Sequence, residues 1–460
     1  MMNLNKFFSA LALMLMSLTL LTSCLSDDDE VTVDDHCYIS SFKLGTLKRT
    51  IHTKATDGSD STYTVSLDAS SFPMDIDQRN LVIENRDSLP YGTRVNAVLV
   101  TIGYTGVLAY KQAGAVEWNA FSSKDSIDFS SPVEFVVYAQ SGHGERHYKV
   151  KLNVHKQDGD VFDWRMTGSS DVLDQFAERR MVTLGQRLVM VGRTETGAVL
   201  QAHRTADLQS EWEVKATTGA EKADVATLQA VQDGTLLMST TEGALLRSTD
   251  YGVNWQPLTE AKAQRVLAGV NGQCLYVLDE GTLLSSTDGG QTWKEEVLDG
   301  SAANLPGCNL NMVYCRQENG QERLVLTGQP LDGAKTVAEV WSKAWSESGR
   351  EQDAIWMHYP HTVDNTLLCP LFSPMFVLPY NKGLVAFGGK TTDGSREALG
   401  TMLYSPDFGL TWQKHEDLTL PEELAGNEGG LAAAVDDENF IWITAGKQTW
   451  RGRLNRLGFE

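Results

Sequence analysis

Ser248-Thr249-Asp250-Tyr251-Gly252-Val253-Asn254-Trp255, Ser286-Thr287-Asp288-Gly289-Gly290-Gln291-Thr292-Trp293 and Ser405-Pro406-Asp407-Phe408-Gly409-Leu410-Thr411-Trp412 are three copies of one phrase, Ser-x-Asp-x-Gly-x-[Asn/Thr]-Trp. A phrase that recurs at a period of roughly 40 residues marks a β-propeller, one phrase per blade. Its residues have the chemistry of a tight turn. Asp and Ser side chains bond nearby backbone N–H groups. Gly takes a positive φ without strain. Trp folds back to bury its ring against the blade. Ser248, Asp250, Gly252 and Trp255, Ser286, Asp288, Gly290 and Trp293, and Ser405, Asp407, Gly409 and Trp412 are therefore read as structural. Calcium or ligand binding by Asp250, Asp288 or Asp407 is the alternative.

Outward from these phrases, the chain divides into six units starting near Arg180, Leu228, Arg265, Asn309, Met375 and Gly430. In each, an apolar strand, a turn with Gly, a second and a third strand lead into the phrase. Eroded copies stand at Thr205-Ala206-Asp207-Leu208-Gln209-Ser210-Glu211-Trp212, without the Gly, and at Ser346-Glu347-Ser348-Gly349 with Trp356 after an insertion. The sixth unit stops at Gly458 without a fourth strand. Phe162-Asp163-Trp164-Arg165-Met166-Thr167, at the other end of the domain, would supply it and close the ring, which removes an open edge. The expectation is an all-β chain with a six-bladed propeller over residues 161–460, seven blades being the alternative.

Residues 36–156 read as a separate β-rich domain. Alternating runs such as Val133-Glu134-Phe135-Val136-Val137-Tyr138 are separated by turn signals such as Ser141-Gly142-His143-Gly144. Roughly seven short strands over about 120 residues suggest a β-sandwich. Gln157-Asp158-Gly159-Asp160 reads as a polar linker. At the start, Lys6 precedes an apolar run over residues 7–21 that is too short for a stable membrane anchor, so residues 1–23 read as a secretory signal. Residues 24–35 then form an acidic tether.

Composition narrows the function. The 39 Lys and Arg less Lys6 leave 38 basic against 60 acidic side chains, a net of −22 for the processed chain. Such a chain is not expected to bind nucleic acid or an anionic membrane surface. Cys37, Cys274, Cys308, Cys315 and Cys369 are odd in number and lack Cys-x-x-Cys spacing, so buried free thiols are expected. Cys308 and Cys315 should lie on one strand, where they cannot meet. His143-Gly144-Glu145-Arg146-His147 has its Glu one place late for the helical zinc motif and reads as a hairpin tip. His358-Tyr359-Pro360-His361 is a loop pair beside Pro. No metal and no cofactor is expected.

Several segments resemble known families. The repeated phrase resembles the Asp-box of bacterial neuraminidase repeats, which in those families lies between the third and fourth strands of a blade. Leu21-Thr22-Ser23-Cys24 resembles a bacterial lipobox and implies diacylation of Cys24, and Ser26-Asp27-Asp28-Asp29-Glu30 resembles the surface-export signal of Bacteroidetes lipoproteins. Residues 127–155 resemble the last hairpin of Ig-like modules in Bacteroidetes surface proteins. Together these resemble a group of outer-membrane lipoproteins with an Ig-like N-terminal module and an Asp-box propeller, attached to the membrane by lipid alone. The resemblance implies architecture and location, not an activity.

Sialidases with this box grip the substrate carboxylate with three arginines, the first in an Arg-Ile-Pro phrase, and use a Tyr–Glu pair and an Asp. No such phrase occurs here. Arg179 and Arg180 lie in the matching region without that context. Xyloglucanases with Asp-boxes use two propellers, and one is expected here. Gly-x-Ser-x-Gly, P-loop and dinucleotide motifs are absent from the sequence.

The candidate ligand-binding residues are Trp341, Trp345, Trp356 and Tyr359, in the longest unit, because exposed aromatics stack on sugars and anchor interfaces. Trp341 and Trp356 suit blade packing equally, and Trp345 is the better candidate for exposure. The expected function is a surface binding or scaffold module for a glycan or a protein partner. The alternative is a glycoside hydrolase in the propeller's central funnel. A carboxylate pair in that funnel would favour the enzyme; a funnel lined by apolar or unpaired polar groups would favour binding.

Overall fold

The computed structural model describes residues 35–459, apart from 55–58, 232–233, 263–264, 271–273, 280, 331–335 and 347; the side chains of residues 54, 259–262, 265–270, 274 and 352 are also left undescribed. The signal, Cys24 and the acidic tether as far as residue 34 lie outside the described residues. The chain is all-β: strands and short 3-10 turns account for its regular structure, with no α-helix among the described residues. No helix there is long and apolar enough to cross a membrane. The chain divides into two compact units, residues 1–159 with 459–460, and residues 160–458.

In the first unit, eleven strands among the described residues form three sheets of two, three and six strands. The number exceeds the seven expected because short pieces such as Thr93–Arg94 and Asn119–Ala120 complete the sheets. Val133–Tyr138 and Glu145–Lys151 pair as a hairpin, and Glu145–Lys151 also takes a parallel partner in Val82–Asn85. One core holds the sheets together, with Phe42, Phe129 and Phe135 in mutual ring contact. The hairpin turn ends at Gly144, so His147 already lies on the strand, where its Nε2 meets Glu145 Oε1 at 3.1 Å.

In the second unit the described strands form six sheets. Five are four-stranded, and four of these follow chain order: Glu178–Leu184 to Glu213–Ala216, Gln229–Ala230 to Gln256–Lys262, Arg265–Val270 to Lys294–Glu295, and Pro306–Arg316 to Trp356–His358; the other is described below. The fifth in chain order, Phe372–Tyr380 to Leu403–Ser405, has three strands with an added bridge between Tyr404 and Gln413. We number them one to six along the chain. The second strand of each sheet is apolar without alternation, as in Leu324, Val325 and Leu326 or Ile441, Trp442 and Ile443, because both faces are covered by neighbouring sheets. Separate apolar clusters join one to two, two to three, three to four, four to five and five to six. A further cluster, with Met181, Leu188 and Met190 against Ala432, Phe440 and Trp442, joins six back to one.

Sheet six draws its strands from both ends of the unit. Leu431–Val435, Ile441–Ala445 and Gln448–Leu454 form a meander, and Phe162–Ser169 pairs antiparallel with Gln448–Leu454 as the fourth strand. The segment expected to complete the last sheet does so. Its rings anchor it: Phe162 and Trp164 stack at 4.9 Å, and Trp164 Nε1 donates to Thr419 O at 2.7 Å. Trp164 lies over Gly452, where any Cβ would come within 2.3 Å of the indole.

Cys308 and Cys315 share the strand Pro306–Arg316, as expected. They, Cys37 and Cys369 are free thiols. Burial pushes the Cys315 thiol up to about 12 and Cys369 higher still, so neither is a nucleophile at neutral pH. Deleting residues 161–168 should abolish the cooperative unfolding transition of the second unit, because sheet six then exposes the edge at Gln448–Leu454 and loses the Phe162 and Trp164 contacts. Calorimetry of the deletion variant checks this; an unchanged melting temperature would refute the dependence.

Candidate functional site

Two phrases lie between the third and fourth strands of sheets two and three, the one in sheet five lies between its third strand and the bridge residue Gln413, and all three build the same hydrogen-bonded turn. Ser248 Oγ donates to Asp250 Oδ1 at 2.8 Å and accepts from Gly252 N at 3.0 Å; Asp250 in turn accepts from Asn254 N and Nδ2. The Ser286–Asp288–Thr292 and Ser405–Asp407–Thr411 sets repeat this, with the Thr hydroxyl in place of the Asn amide at 2.6 Å in both. Trp255 and Trp412 are buried, and each indole N–H reaches the carbonyl of its own turn glycine. Trp293 keeps the position, but its Nε1 has no partner among the described residues. The residue before each turn glycine is left-handed: Tyr251, Gly289 and Phe408 have φ of 63°, 74° and 58°. The carboxylates are saturated by their own turns. In the eroded copy, Asp207 accepts from Gln209 N, Ser210 N and Ser210 Oγ, so the turn survives the loss of its glycine.

The aromatic candidates of sheet four are placed differently from expectation. Trp341 and Trp356 are fully buried and Trp345 is 8% exposed. The expected exposure of Trp345 is corrected: its ring packs in the core between sheets three and four, and its Nε1 donates to Glu322 Oε2 at 2.6 Å. Trp356 donates to Glu296 Oε2 at 2.9 Å and Trp341 to Asn304 O at 3.0 Å. None of the three indoles offers a face for a ligand. Tyr359 is half-buried, its hydroxyl accepting from Arg323 at 3.0 Å. The rings are instead part of a buried polar network. Lys343 Nζ pairs with Glu296 Oε2 at 2.6 Å, the two side chains being 1% and 7% exposed, and reaches the Tyr276 hydroxyl at 3.2 Å. His358 Nε2 lies 2.9 Å, and His361 Nε2 3.9 Å, from Glu339 Oε2, and His358 stacks on Trp341. Among the described residues no group of three His, Cys, Asp or Glu could hold a metal ion.

The concave site lies instead along the first strands of the sheets. Residues 180–183, 228–230, 311–314, 376–379 and 433–435 line a channel of about 260 Å³. At the end where these strands begin, a narrow pocket of about 90 Å³ follows, with Arg180, Thr227, Gln229 and Asn309 on its wall. At the other end the channel opens, past Tyr314, Pro379 and Val435, into a cleft of about 750 Å³ among the hairpin turns of sheets four, five and six. That volume is in the range of small-ligand pockets.

Local irregularity shapes the channel wall. The strand Pro306–Arg316 bulges twice before Asn311, and Asn309 takes a φ of 52°. The bulge turns two amides toward sheet five. Asn309 Oδ1 accepts from Met375 N, and Asn311 Nδ2 donates to Met375 O at 3.1 Å. Arg179 and Arg180, adjacent in sequence, point to opposite faces of their strand. Arg179 is buried and donates to the carbonyls of Leu173, Gly430 and Gly446. Arg180 faces the channel and donates to Asn311 Oδ1 at 3.4 Å. Burial lowers its pKa to about 10, which leaves it charged at neutral pH. No Asp or Glu is among the described residues lining the channel or the narrow pocket. At the wide cleft, Glu318 pairs with Lys382 at 2.7 Å and Asp436 is held by Phe440 N and Trp442 Nε1; Asp437 is exposed.

Arg180 is the site residue that sequence reasoning passed over. Alternation along Glu178–Leu184 puts Met181 with Arg179 on one face and Val182 with Arg180 on the other. Which face met a channel was not written in the strand itself.

A family model described as the DUF6242 beta propeller domain matches residues 158–460, and one described as the DUF6242 N-terminal domain matches residues 42–152. No curated protein matches the chain. Solved structures similar to it include a mutant of the alpha-L-arabinofuranosidase arb93a from Fusarium graminearum in complex with an iminosugar inhibitor (14% identity, 64% of this chain and 97% of that one, TM-score 0.39). They also include the SapL1 lectin in complex with alpha methyl fucoside (12%, 60% and 91%, TM-score 0.38) and YCF48 from Cyanidioschyzon merolae (13%, 63% and 98%, TM-score 0.30).

Two measurements check this geometry. Hydrogen bonds from the Thr292 hydroxyl, then from Thr292 N and the Ser286 hydroxyl, hold the Asp288 carboxyl down at about 2 against an ordinary 3.8. The folded-state pKa is depressed, so the turn's contribution is complete above pH 4 and fades as pH falls toward 2. Asp288→Asn should therefore flatten the acid limb of the Tm–pH curve between about pH 4 and 2. Lys343→Met leaves Glu296 buried without its cation and should cost about 3–5 kcal/mol in denaturant unfolding.

Proposed function

The chain belongs to the DUF6242 family, and from that premise we propose that it is a non-catalytic binding or scaffold protein whose propeller channel takes a glycan or protein partner. The observation that carries this is the chemistry of the channel wall: a guanidinium, amides and apolar groups, with no Asp or Glu among the described lining residues. Two-carboxylate glycoside hydrolysis needs a pair of acids roughly 5–10 Å apart. Asp437 is the one carboxylate of the wide cleft not engaged by a turn or an ion pair among the described residues, and a single acid does not make that pair.

The same reading takes the propeller as six-bladed. Six sheets with six joining cores, the last returning to the first, support that count over seven. It takes residues 36–156 as an Ig-like sandwich that holds the propeller away from a membrane, and residues 24–35 as a tether lipidated at Cys24. Location at the outer-membrane surface rests on the lipobox-like and acidic segments. The repeated phrases act as structural turns of the Asp-box kind, a role supported by the saturation of Asp250, Asp288 and Asp407 by their own turns.

Residues 25–460 applied to an array of host and dietary glycans should bind a subset of them. Asp437→Trp, an exposed position on the wide cleft, should obstruct entry and abolish that binding with Tm unchanged. A variant that binds as the wild type does would move the site off the channel. Release of sugar from any arrayed glycan would instead favour the hydrolase.

A further inference from the structure

Two adjacent arginines sit in opposite situations. Arg179 donates from its two Nη atoms to three backbone carbonyls, and its buried Nε alone has no partner among the described residues. Among the described residues Arg180 has one hydrogen bond, at 3.4 Å, the long limit for such a bond, and its acceptor Asn311 Oδ1 is shared with Val377 N. The Asn311 amide protons go to the Asn309 and Met375 carbonyls, so this side chain is held in place from sheet five. Gln229, which with Arg180 lines both the channel and the narrow pocket, makes no side-chain hydrogen bond among the described residues. A largely enclosed guanidinium without a counter-charge is costly. It has five donors in a planar fork that matches a carboxylate. The wall around it is low in dielectric and carries no opposing charge among its described residues, so its field on an entering anion is only weakly screened.

We propose that the channel is a carboxylate-binding site, in which Arg180 grips the acid group of a small ligand and Gln229 donates beside it, the rest of the ligand extending toward the wide cleft. This inference rests on the binding reading above and names the ligand's chemistry: an organic acid, free or as the acid group of a sugar. The cleft offers a polar ligand body both ring surface and hydrogen-bonding groups, since Tyr314, Pro379 and Phe408 share its wall with Asn381 and with charged residues of both signs, Arg316, Glu318, Lys382, Asp436 and Asp437. The protein's overall negative charge would repel a polyanion, which confines the preference to a ligand with one or few charges.

Calorimetric titration of the purified full-length protein with glucuronate, glucose and acetate tests it, with Arg180→Gln and Arg180→Lys alongside. Glucuronate should bind at least about tenfold more tightly than glucose, since a charge-assisted bidentate pair is stronger than the neutral hydrogen bonds a sugar hydroxyl can offer the guanidinium. Arg180→Gln should remove that preference and leave glucose unchanged. Its Tm should not fall, because the change removes an enclosed charge. Arg180→Lys keeps the charge without the fork and should fall between the two. Acetate that competes with glucuronate would support the site and assign its specificity to the carboxylate alone; acetate that does not compete would support it with the sugar body as part of the recognition. Glucuronate affinity equal in wild type and Arg180→Gln would overturn the inference. So would failure of both acids to bind the wild type. If the array still shows neutral glycans bound in the channel, the binding reading stands and only the carboxylate assignment fails.

Discussion

The pairing of Phe162–Ser169 with Gln448–Leu454 is the constraint on which the second unit depends. Without it, sheet six ends in an open edge and its outer face lacks Phe162 and Trp164. Sheet one leans on the same strands. Arg204 Nη1 donates to Thr167 Oγ1 at 3.1 Å, and Trp212 Nε1 to Thr449 Oγ1 at 2.9 Å. The channel inherits this dependence, since its wall takes residues 180–183 from sheet one and 433–435 from sheet six. A carboxylate site at Arg180 can be precise only if those two sheets are held in fixed relation.

Sheets three and four solve a different problem. Their shared core contains Glu296, Glu322, Lys343 and three indoles, and each carboxylate is answered by hydrogen-bond donors. Glu296 accepts from Lys343, Trp356 and Ser285, and Glu322 accepts from Trp345 and Tyr314. A network of this kind adds little net stability over an apolar core of the same shape, but it penalises any packing in which one member is missing. It also explains why indoles so suggestive in sequence have no role at the surface.

The repeated phrases were legible because their information is local: all partners of Asp250, Asp288 and Asp407 lie within four residues. The closing strand was legible for another reason. The last unit lacked a strand, and Phe162 to Thr167 had the pattern to fill the gap. Trp345 was misread because its partners, Glu322 and the core of sheet three, are remote in sequence and unmarked by any motif. Arg180 was passed over because alternation assigns faces only relative to each other. The bulge that turns Asn309 and Asn311 toward sheet five depends on a left-handed residue that is not glycine, and an Asn in an apolar run carries no signal of that.

The closing pair also sets an order of events in time. Thr167 and Thr449, which meet across it, are 282 residues apart. Sheets one to five are each assembled from consecutive segments and can form as the chain is synthesised from the N-terminus. Sheet six cannot, because its outer strand is made first and its partner nearly last. Contacts at such separation are slow, since the loop must close before any contact rewards it. A growing chain therefore carries Phe162–Ser169 unpaired throughout synthesis, and the second unit becomes a single cooperative body only when Gln448–Leu454 has emerged.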